Sequence, residues 1–216
     1  MNQERLAAID IGTNSIRCII VEVDEKNGFR VLDDEKSTVR LGEGLSETGR
    51  ISPKAWERAR DGLMRMRKII GGLDVQYIEA VATSAVRKAA NGADFVAAMQ
   101  QEADLEIRVI DGKEEARLAT LSALHHFDMF NTRYALIDIG GGSIEVITAM
   151  GNHIEEISSL ELGAVFLTET FLRQDPIPPE EMKTLRKHLR RTIRKTLGDQ
   201  EFAPQCLIGS GGTITN

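Results

Sequence analysis

One short segment of the sequence occurs twice, and this repeat constrains the fold more than any other feature. LAAIDIGTNSIRCIIVEV lies near the start of the chain and ALIDIGGGSIEVITA in its second half. Asp138 follows Asp10 by 128 residues, and the same offset places Ser143 on Ser15. A later pair of turns, VATSAV and GSGGTI, lies near that offset too, so a whole unit is duplicated. A duplicated β-β-β-α-β-α-β-α unit predicts two similar α/β lobes with a cleft between them.

Hydrophobic periodicity and turn residues predict the elements of both halves. In the first half we predict strands at 5–11, 15–23, 29–41, 77–82 and 106–110, and helices at 51–73, from 83, at 93–102 and at 113–126. In the second half we predict strands at 134–139, 143–150, 153–160 and 206–209, and helices at 164–172 and from the DPIPP loop to about 197. The lobes are predicted to be 1–132 and 133–216. Because the repeat stops after GSGGT, the second lobe is expected to be incomplete, the alternative being a naturally short domain.

The composition limits the partners and the location of the protein. The chain has 216 residues and a net charge of −6, which argues against a nucleic-acid polymer as partner. No apolar run approaches the roughly 18 residues of a membrane span, and the N-terminus has no signal-peptide pattern. We therefore expect a cytoplasmic protein without a membrane partner. Cys18 and Cys206 are expected to pack as small apolar residues.

The two repeated turns suit a phosphate site. Glycines let a ligand approach backbone N–H groups, which can cradle phosphate oxygens. Asp138 is well placed to hold Mg²⁺, which needs only one or two carboxylates from the protein. The alternative is a pair of hairpins whose Gly and Asp merely suit turn geometry, but the repetition favours phosphate binding. The candidate phosphate-binding residues of the turns are Gly12, Thr13, Asn14, Ser15, Gly140, Gly141, Gly142 and Ser143.

Two further turns each follow a strand and open a helix. Free amides and the macrodipole make such helix starts favourable for anions. The candidates there are Thr83, Ser84, Ser210, Gly211, Gly212 and Thr213, although the hydroxyl residues among them could serve only as N-caps. Arg17 and Arg87 could bind phosphate oxygens or form surface salt bridges.

The segment DGKEEARLA carries the candidate general base. Asp111 followed three residues later by Glu114 is a capping-box pattern, which gives Glu114 a structural role. Glu115 lies on a helix face with small and apolar residues, where its carboxylate could have a raised pKa and act as a base. A solvated glutamate in the first helical turn is the alternative.

The segment PEEMKTLRKHLRRTIRKTLG predicts an amphipathic helix with one strongly basic face. The simpler interpretation is a solvated face whose acidic start, Glu180 and Glu181, matches the helix dipole. The alternative is a basic track that draws in a long polyanion.

Read in order, six motifs of the chain resemble one known family. They are AIDIGTNSIR, RLGEGL, ATSAVR, DGKEEARL, LIDIGGGSIE and GSGGTIT. Together they are similar to the exopolyphosphatase and guanosine pentaphosphate phosphatase (Ppx/GppA) family, within the superfamily of acetate kinase, sugar kinases, heat-shock chaperones and actin. The resemblance covers essentially the whole chain. It implies an actin-like ATPase fold of two RNase H-like lobes, each a five-stranded mixed sheet flanked by helices, with the second lobe truncated here.

The resemblance also implies an activity, which is Mg²⁺-dependent hydrolysis of the terminal phosphoanhydride of inorganic polyphosphate or of pppGpp. By position, Glu115 matches the general base. Asp138 and Glu145 match acidic residues of the catalytic and Mg²⁺ site. Asp10 matches the acidic turn of the first lobe and is the third candidate Mg²⁺ ligand.

Other positions match ligand contacts of the family. Residues 140–143 match the phosphate-cradling loop, and Arg87 matches a phosphate contact. Arg17 sits where some members are thought to contact a guanosine ligand. Two alternatives stay open: a phosphotransferase of the same superfamily, and a non-enzymatic (p)ppGpp- or nucleotide-binding module or inactive fragment. An incomplete second lobe could expose apolar surface and favour a homodimer.

Overall fold

The chain folds into two compact units, Met1–Ile110 and Asp111–Asn216. The computed structural model describes residues 4–24, 28–198 and 203–215. Within these ranges no helix is both long enough and apolar enough to cross a membrane.

The first unit is built on a five-stranded mixed sheet. Its strands are β1 (Arg5–Ile11), β2 (Ser15–Val23), β3 (Phe29–Thr38), β4 (Tyr77–Ala82) and β5 (Ile107–Val109). The order across the sheet is β3-β2-β1-β4-β5. β1 and β3 are antiparallel to β2, whereas β4 is parallel to both β1 and β5. A hairpin meander followed by crossover connections is the order that the duplicated unit predicted.

Helices cover one face of this sheet. They are α1 (Leu45–Thr48), α2 (Pro53–Gly72), α3 (Ser84–Lys88) and α4 (Gly92–Ala103). The Ser52 hydroxyl accepts a hydrogen bond from the N–H of Ala55 (3.3 Å) and thereby caps the start of α2. Trp56 of α2 meets Phe95 of α4 edge to face, with ring centroids 5.2 Å apart. Alternate residues of β1 and β2, among them Ile9 and Ile20, are buried in the same core.

The third strand ends earlier than predicted, at Thr38 rather than residue 41. The N–H groups of Val39 and Arg40 both donate to the carbonyl of Asn14, at 3.0 and 2.9 Å. Arg40 also has a positive φ of 50°, which no regular strand accommodates. The predicted strand thus ends three residues early, because the N–H groups of residues 39 and 40 bond to the turn between β1 and β2 instead of continuing the ladder with β2.

The second unit repeats the plan on a four-stranded sheet. Its elements are α5 (Gly112–His126), β6 (Arg133–Ile139), β7 (Ile144–Met150), β8 (His153–Leu160), α6 (Ala164–Phe171), α7 (Pro179–Leu197), β9 (Cys206–Ser210) and α8 (Gly212–Thr215). The order across the sheet is β8-β7-β6-β9. β7 is antiparallel to β6 and β8, and β6 is parallel to β9, so the ladders match those of β3-β2-β1-β4.

The boundary between the units lies after Ile110, whereas the repeat predicts a lobe boundary between 132 and 133. The difference is helix α5. This helix packs against β6, β7 and β8, and its buried Ala116 and Ala123 belong to the second core with Tyr134 and Leu136.

Candidate functional site

Four side chains lie opposite one another across the second sheet. Asp138 of β6 pairs with Glu145 of β7 and with Ser210 of β9. Glu145 pairs in turn with Ser159 of β8. Side chains of directly paired residues point to the same face of a sheet, with Cβ atoms about 4.5–5.5 Å apart. Ser210, Asp138, Glu145 and Ser159 therefore form one row, which we call the acidic row.

Glu145 is the most deeply buried member of the acidic row. Its side chain is only 1% exposed, and the hydroxyl of Ser159 donates a hydrogen bond to its Oε1 at 2.8 Å. A carboxylate is costly to bury unless hydrogen bonds or charges satisfy it. Ser159 thus orients Glu145, a predicted catalytic and Mg²⁺-binding residue. The sequence does not indicate this role for Ser159.

Asp138 lies in a partly desolvated position. Burial raises the pKa of its carboxyl, and a hydrogen-bonding interaction with the side chain of Ser210 opposes that shift. Desolvation disfavours the charged form of a carboxylate, whereas a nearby cation favours it. A cation held in front of Asp138 and Glu145 would therefore stabilise these two carboxylates.

The glycine turn after β6 is held by the start of α6. The N–H groups of Ala164 and Val165 donate to the carbonyls of Gly140 and Gly141, at 3.0 and 2.9 Å. Gly163 permits this approach, because a Cβ there would lie 2.3 Å from the carbonyl carbon of Gly141. The N–H groups of Gly141 and Gly142 donate to no residue in the described part of the chain. The carbonyls of Gly140 and Gly141 are thus hydrogen-bonded to α6, whereas the N–H groups of Gly141 and Gly142 are available to a ligand.

The turn after β9 reaches the same end of the sheet. Gly211 has a φ of +88°, and a Cβ there would lie 2.4 Å from the carbonyl oxygen of Ile139 and 2.5 Å from Oδ1 of Asp138. Only glycine allows both this conformation and this approach. Gly212 and Thr213, which were predicted with Ser210 and Gly211, are exposed at the start of α8.

Helix α5 begins against the acidic row. A Cβ on Gly112 would lie 2.6 Å from the hydroxyl oxygen of Ser159 and 3.9 Å from Oε1 of Glu145. Glu115 follows Gly112 by three residues, so it lies on the same side of the helix, and its side chain is half-buried. The predicted base therefore lies on the side of α5 whose first residue, Gly112, adjoins the acidic row.

Glu114 and Glu115 are neighbours in the first turn of α5 but have different surroundings. Oδ1 of Asp111 accepts a hydrogen bond from the N–H of Glu114 at 2.8 Å, as the capping pattern predicted. The carboxylate of Glu114 receives hydrogen bonds from Arg117 at 2.9 and 3.0 Å. Glu114 therefore has a structural role, whereas the function of Glu115 as a base stays a prediction.

In the first unit the predicted residues also converge at one end of a sheet. The N–H of Gly12 donates to the carbonyl of Ser15, and the N–H of Gly42 to that of Thr13, both at 3.0 Å. Thr13 is buried, whereas Asn14 is exposed. The N–H of Thr83 donates to the carbonyl of Ile11 at 3.1 Å, which places the TSAVR turn beside the first hairpin turn.

The residues of the TSAVR turn have different surroundings. Thr83 occupies the N-cap position of α3 without a capping hydrogen bond from its side chain. The Ser84 hydroxyl is buried and has no hydrogen-bond partner in the described part of the chain. Arg87 donates to the carbonyl of Ile110. The alternative that Thr83 serves as a side-chain cap is therefore not supported.

Arg17 lies directly opposite Asp10 but is bound by another acid. Its Nε and Nη2 donate to Oδ1 and Oδ2 of Asp34, at 2.8 and 2.6 Å. This fork raises the pKa of Arg17 and lowers the pKa of Asp34. With side-chain exposures of 55% and 42%, the pair is a surface salt bridge.

Known proteins are similar to this chain over nearly its whole length. Exopolyphosphatase 2 of Mycobacterium tuberculosis is 33% identical over 221 residues, covering 98% of this chain and 69% of that protein. The crystal structure of an exopolyphosphatase from Cytophaga hutchinsonii superimposes with a TM-score of 0.90 at 30% identity, covering 98% of this chain and 68% of the other. The Ppx/GppA family member of Aquifex aeolicus gives a TM-score of 0.78 at 32% identity, covering 99% of this chain and 68% of the other.

These matches confirm the predicted fold class, the duplicated α/β architecture of the actin-like ATPase fold. The family model for Ppx/GppA phosphatases matches residues 19–214, which include the acidic row, the glycine turn and α5. The chain therefore belongs to the Ppx/GppA phosphatase family.

Proposed function

We propose that the chain provides the catalytic site of a Mg²⁺-dependent phosphohydrolase, which releases the terminal phosphate of inorganic polyphosphate. The observation that carries this proposal is the acidic row, which combines two paired carboxylates with an adjoining glycine turn and the start of α5. The names of the relatives from Mycobacterium tuberculosis and Cytophaga hutchinsonii support polyphosphate as the substrate. Terminal hydrolysis of pppGpp would use the same groups.

The residues of the acidic row fit Mg²⁺. This ion prefers oxygen ligands, keeps several waters and needs only one or two carboxylates. Asp138 and Glu145 supply two carboxylates on facing positions. No group of three or more His, Cys, Asp or Glu side chains suited to a metal occurs among residues 4–24, 28–198 and 203–215, so the site suits a partly hydrated ion. Bound there, Mg²⁺ would neutralise charge on phosphate oxygens.

The other groups of the second unit have distinct roles in this proposal. The N–H groups of Gly141 and Gly142 would donate to oxygens of the terminal phosphate. Glu115 would orient a water molecule and accept its proton as the water oxygen attacks the phosphorus. The bond to the bridging oxygen breaks, and the products are inorganic phosphate and a polymer shorter by one phosphate. Ser159 would hold Glu145 in place.

Two neighbouring glutamates allow a matched test. Phosphate release from long-chain polyphosphate and from pppGpp is measured in Mg²⁺ and again with EDTA. Glu115→Gln is expected to lower kcat by about 10²–10⁴-fold, the usual contribution of a general base. Glu114→Gln removes the same charge one residue earlier, where the carboxylate binds Arg117, and should keep most turnover. Equal turnover by the two variants would transfer the base role to another residue.

The same assay separates the alternative functions. A phosphotransferase would form ADP from ATP only with an acceptor and would release no phosphate from polyphosphate. A binding module would show calorimetric binding of pppGpp without phosphate release in Mg²⁺.

A further inference from the structure

Helix α7 carries a basic face that the proposed catalytic site does not use. Its long side chains border a groove of about 880 Å³ that runs along the helix. The basic residues lining this groove are Lys183, Arg186, Lys187, Arg190, Arg191 and Arg194, and we call them the basic surface of α7. All six side chains are exposed. Their spacing at three and four residues places them on one side of the helix.

The basic surface of α7 is nearly uncompensated. Lys183 pairs with Glu180 at 3.7 Å, and this is the one ion pair that the six residues form with described parts of the chain. Elsewhere in the described residues most surface arginines are paired, as Arg58 is with Glu43 and Arg133 is with Glu155. The chain as a whole carries a net charge of −6. A concentration of unpaired positive charge on an acidic protein creates a local field that attracts polyanions.

The shape of this surface selects a long ligand. From Lys183 to Arg194 the helix rises about 16 Å, at 1.5 Å for each residue. A nucleotide could contact two or three of these side chains, whereas a linear chain of phosphates places a charge beside each of them. Four of the six are arginines, whose planar forks bind phosphate oxygens through two hydrogen bonds.

The basic surface and the acidic row belong to the same unit and are linked through strand β8. Helix α7 packs against β8, and β8 contributes Ser159 to the acidic row. The polar side of α7 faces solvent while Leu185 packs inward. A polymer lying on α7 is thus bound by the unit that carries the proposed catalytic groups.

We propose that the basic surface of α7 binds the distal part of long-chain polyphosphate while its terminal phosphate is hydrolysed. This inference rests on the proposed function. A contact with distal phosphates is equally strong before and during the reaction, so it lowers KM for long chains and leaves kcat unchanged. Tripolyphosphate is too short to benefit from such a contact.

The test is a triple variant, Arg186→Gln with Arg190→Gln and Arg194→Gln. KM for long-chain polyphosphate is expected to rise about tenfold or more, with kcat and the KM for tripolyphosphate unchanged. Binding of labelled long-chain polyphosphate is measured in EDTA, where no turnover occurs. The slope of log affinity against log salt should become shallower by roughly 2, because three phosphate contacts are lost.

A matched control removes the same charge from the first unit. Lys54→Gln with Arg65→Gln and Lys68→Gln changes three exposed residues of α2. This control should keep the affinity and the salt slope of the unaltered chain. Thermal unfolding followed by circular dichroism shows that both triple variants are folded.

The outcomes of this test separate the two proposals. An unchanged salt slope and KM in the α7 variant would overturn the docking proposal, even if polyphosphate hydrolysis persists. Polyphosphate binding that depends on α7, in a chain without turnover, would show that α7 binds polyphosphate but would reject the proposed function and, with it, docking during hydrolysis. If the α7 variant loses affinity for duplex DNA but not for polyphosphate, the surface binds nucleic acid and the docking proposal is wrong.

Discussion

The two hairpin turns of the repeat are built in the same way. In each, the N–H of the first glycine donates to the carbonyl of the serine, Gly12 to Ser15 and Gly140 to Ser143, both at 3.0 Å. In each, the segment that follows the third strand donates N–H groups to other carbonyls of the turn. The repeated sequence therefore encodes a backbone frame whose carbonyls are satisfied internally.

The side chains placed on these frames differ. In the first sheet the row equivalent to the acidic row contains Val81, Asp10, Arg17 and Lys36, and we call it the mixed-charge row. Arg17 there occupies the position that Glu145 occupies in the acidic row. The first row places one acid beside two bases, whereas the second places two acids between two serines. Only the second combination suits a divalent cation.

The rows also differ in burial. Helix α5 covers the face of the second sheet that carries the acidic row, and Glu145 is 1% exposed. Asp10 and Arg17 lie on the face of the first sheet opposite its core and are exposed. Electrostatic interactions are stronger where water is excluded. The two halves of the repeat thus have similar backbone frames. Because α5 covers the second one, charged groups interact more strongly in the acidic row than in the mixed-charge row.

The largest expected effect comes from removing the charge that distinguishes the rows. Glu145→Gln keeps the shape of the side chain and an acceptor for the Ser159 hydroxyl but removes one carboxylate of the proposed Mg²⁺ site. Loss of such a ligand is expected to reduce activity and Mg²⁺ affinity by about 10–100-fold or more. The measurement is phosphate release as a function of Mg²⁺ concentration.

The equivalent change in the mixed-charge row is the control. Arg17→Gln should leave the Mg²⁺ dependence unchanged, because Arg17 is engaged by Asp34 on an exposed face. A Mg²⁺ requirement that shifts equally in both variants would show that the rows do not differ in the way that their burial indicates.

The second prediction concerns the clamp on the glycine turn. Gly163→Ala places a Cβ 2.3 Å from backbone atoms of Gly141 and Gly142, so α6 must move away from the turn. Forcing an extra carbon into a packed site costs about 1–3 kcal/mol. The midpoint of thermal unfolding should fall, and KM for polyphosphate should rise.

Gly72→Ala is the matched glycine substitution. Nothing lies within 4 Å of a Cβ at this exposed end of α2, so alanine should stabilise the protein by about 0.4–1 kcal/mol through the unfolded chain. If both alanine variants unfold at the same temperature as the unaltered chain, the close contact at Gly163 is not part of the folded state in solution.

The repeat made part of this site predictable. A hairpin with the same loop length repeats its register. The offset of 128 that aligns Asp138 with Asp10 therefore also aligns Glu145 with Arg17. In each hairpin the two residues are paired across the strands, Asp10 with Arg17 and Asp138 with Glu145. The cap of α5 could be predicted too, because capping depends on residues three apart in sequence.

The groups that support the site could not be predicted. The ladder between β7 and β8 shifts register between Thr148 and Ala149, so counting from the turn does not show that Ser159 faces Glu145. Gly112 and Gly163 matter through contacts with Ser159 and Gly141, which are distant in sequence. Such contacts depend on tertiary packing, which has no local signature. The catalytic roles of Glu115, Asp138 and Glu145 stay predictions.

The third prediction uses the burial of Asp138. Burial raises the pKa of Asp138 in the folded state, so ionisation of this carboxyl lowers the free energy of unfolding. This cost is absent below the pKa of the unfolded chain, where both states are protonated, and it is fully present above the folded-state pKa. In EDTA, Asp138→Asn should therefore leave the unfolding midpoint unchanged at low pH and raise it at neutral pH.

The exposed partner in the other row is again the control. Asp10 is exposed, so Asp10→Asn removes the equivalent carboxylate at a position that water reaches. A gain of equal size in the two variants would mean that the acidic row is as hydrated as the mixed-charge row.

The smallest effect is expected for the ion pair of the mixed-charge row. Arg17 and Asp34 are joined by two hydrogen bonds, but both side chains are exposed, and such pairs contribute about 0.2–1 kcal/mol. A double-mutant cycle with Arg17→Gln and Asp34→Asn should give a coupling energy in that range. The coupling should weaken as salt rises, because exposed charges are screened. A larger coupling that salt does not change would mean that the pair is shielded from water, as Glu145 is in the acidic row. A weak, salt-sensitive coupling would mean that Arg17 can leave Asp34 at little cost, which is the property that a phosphate contact at this position requires.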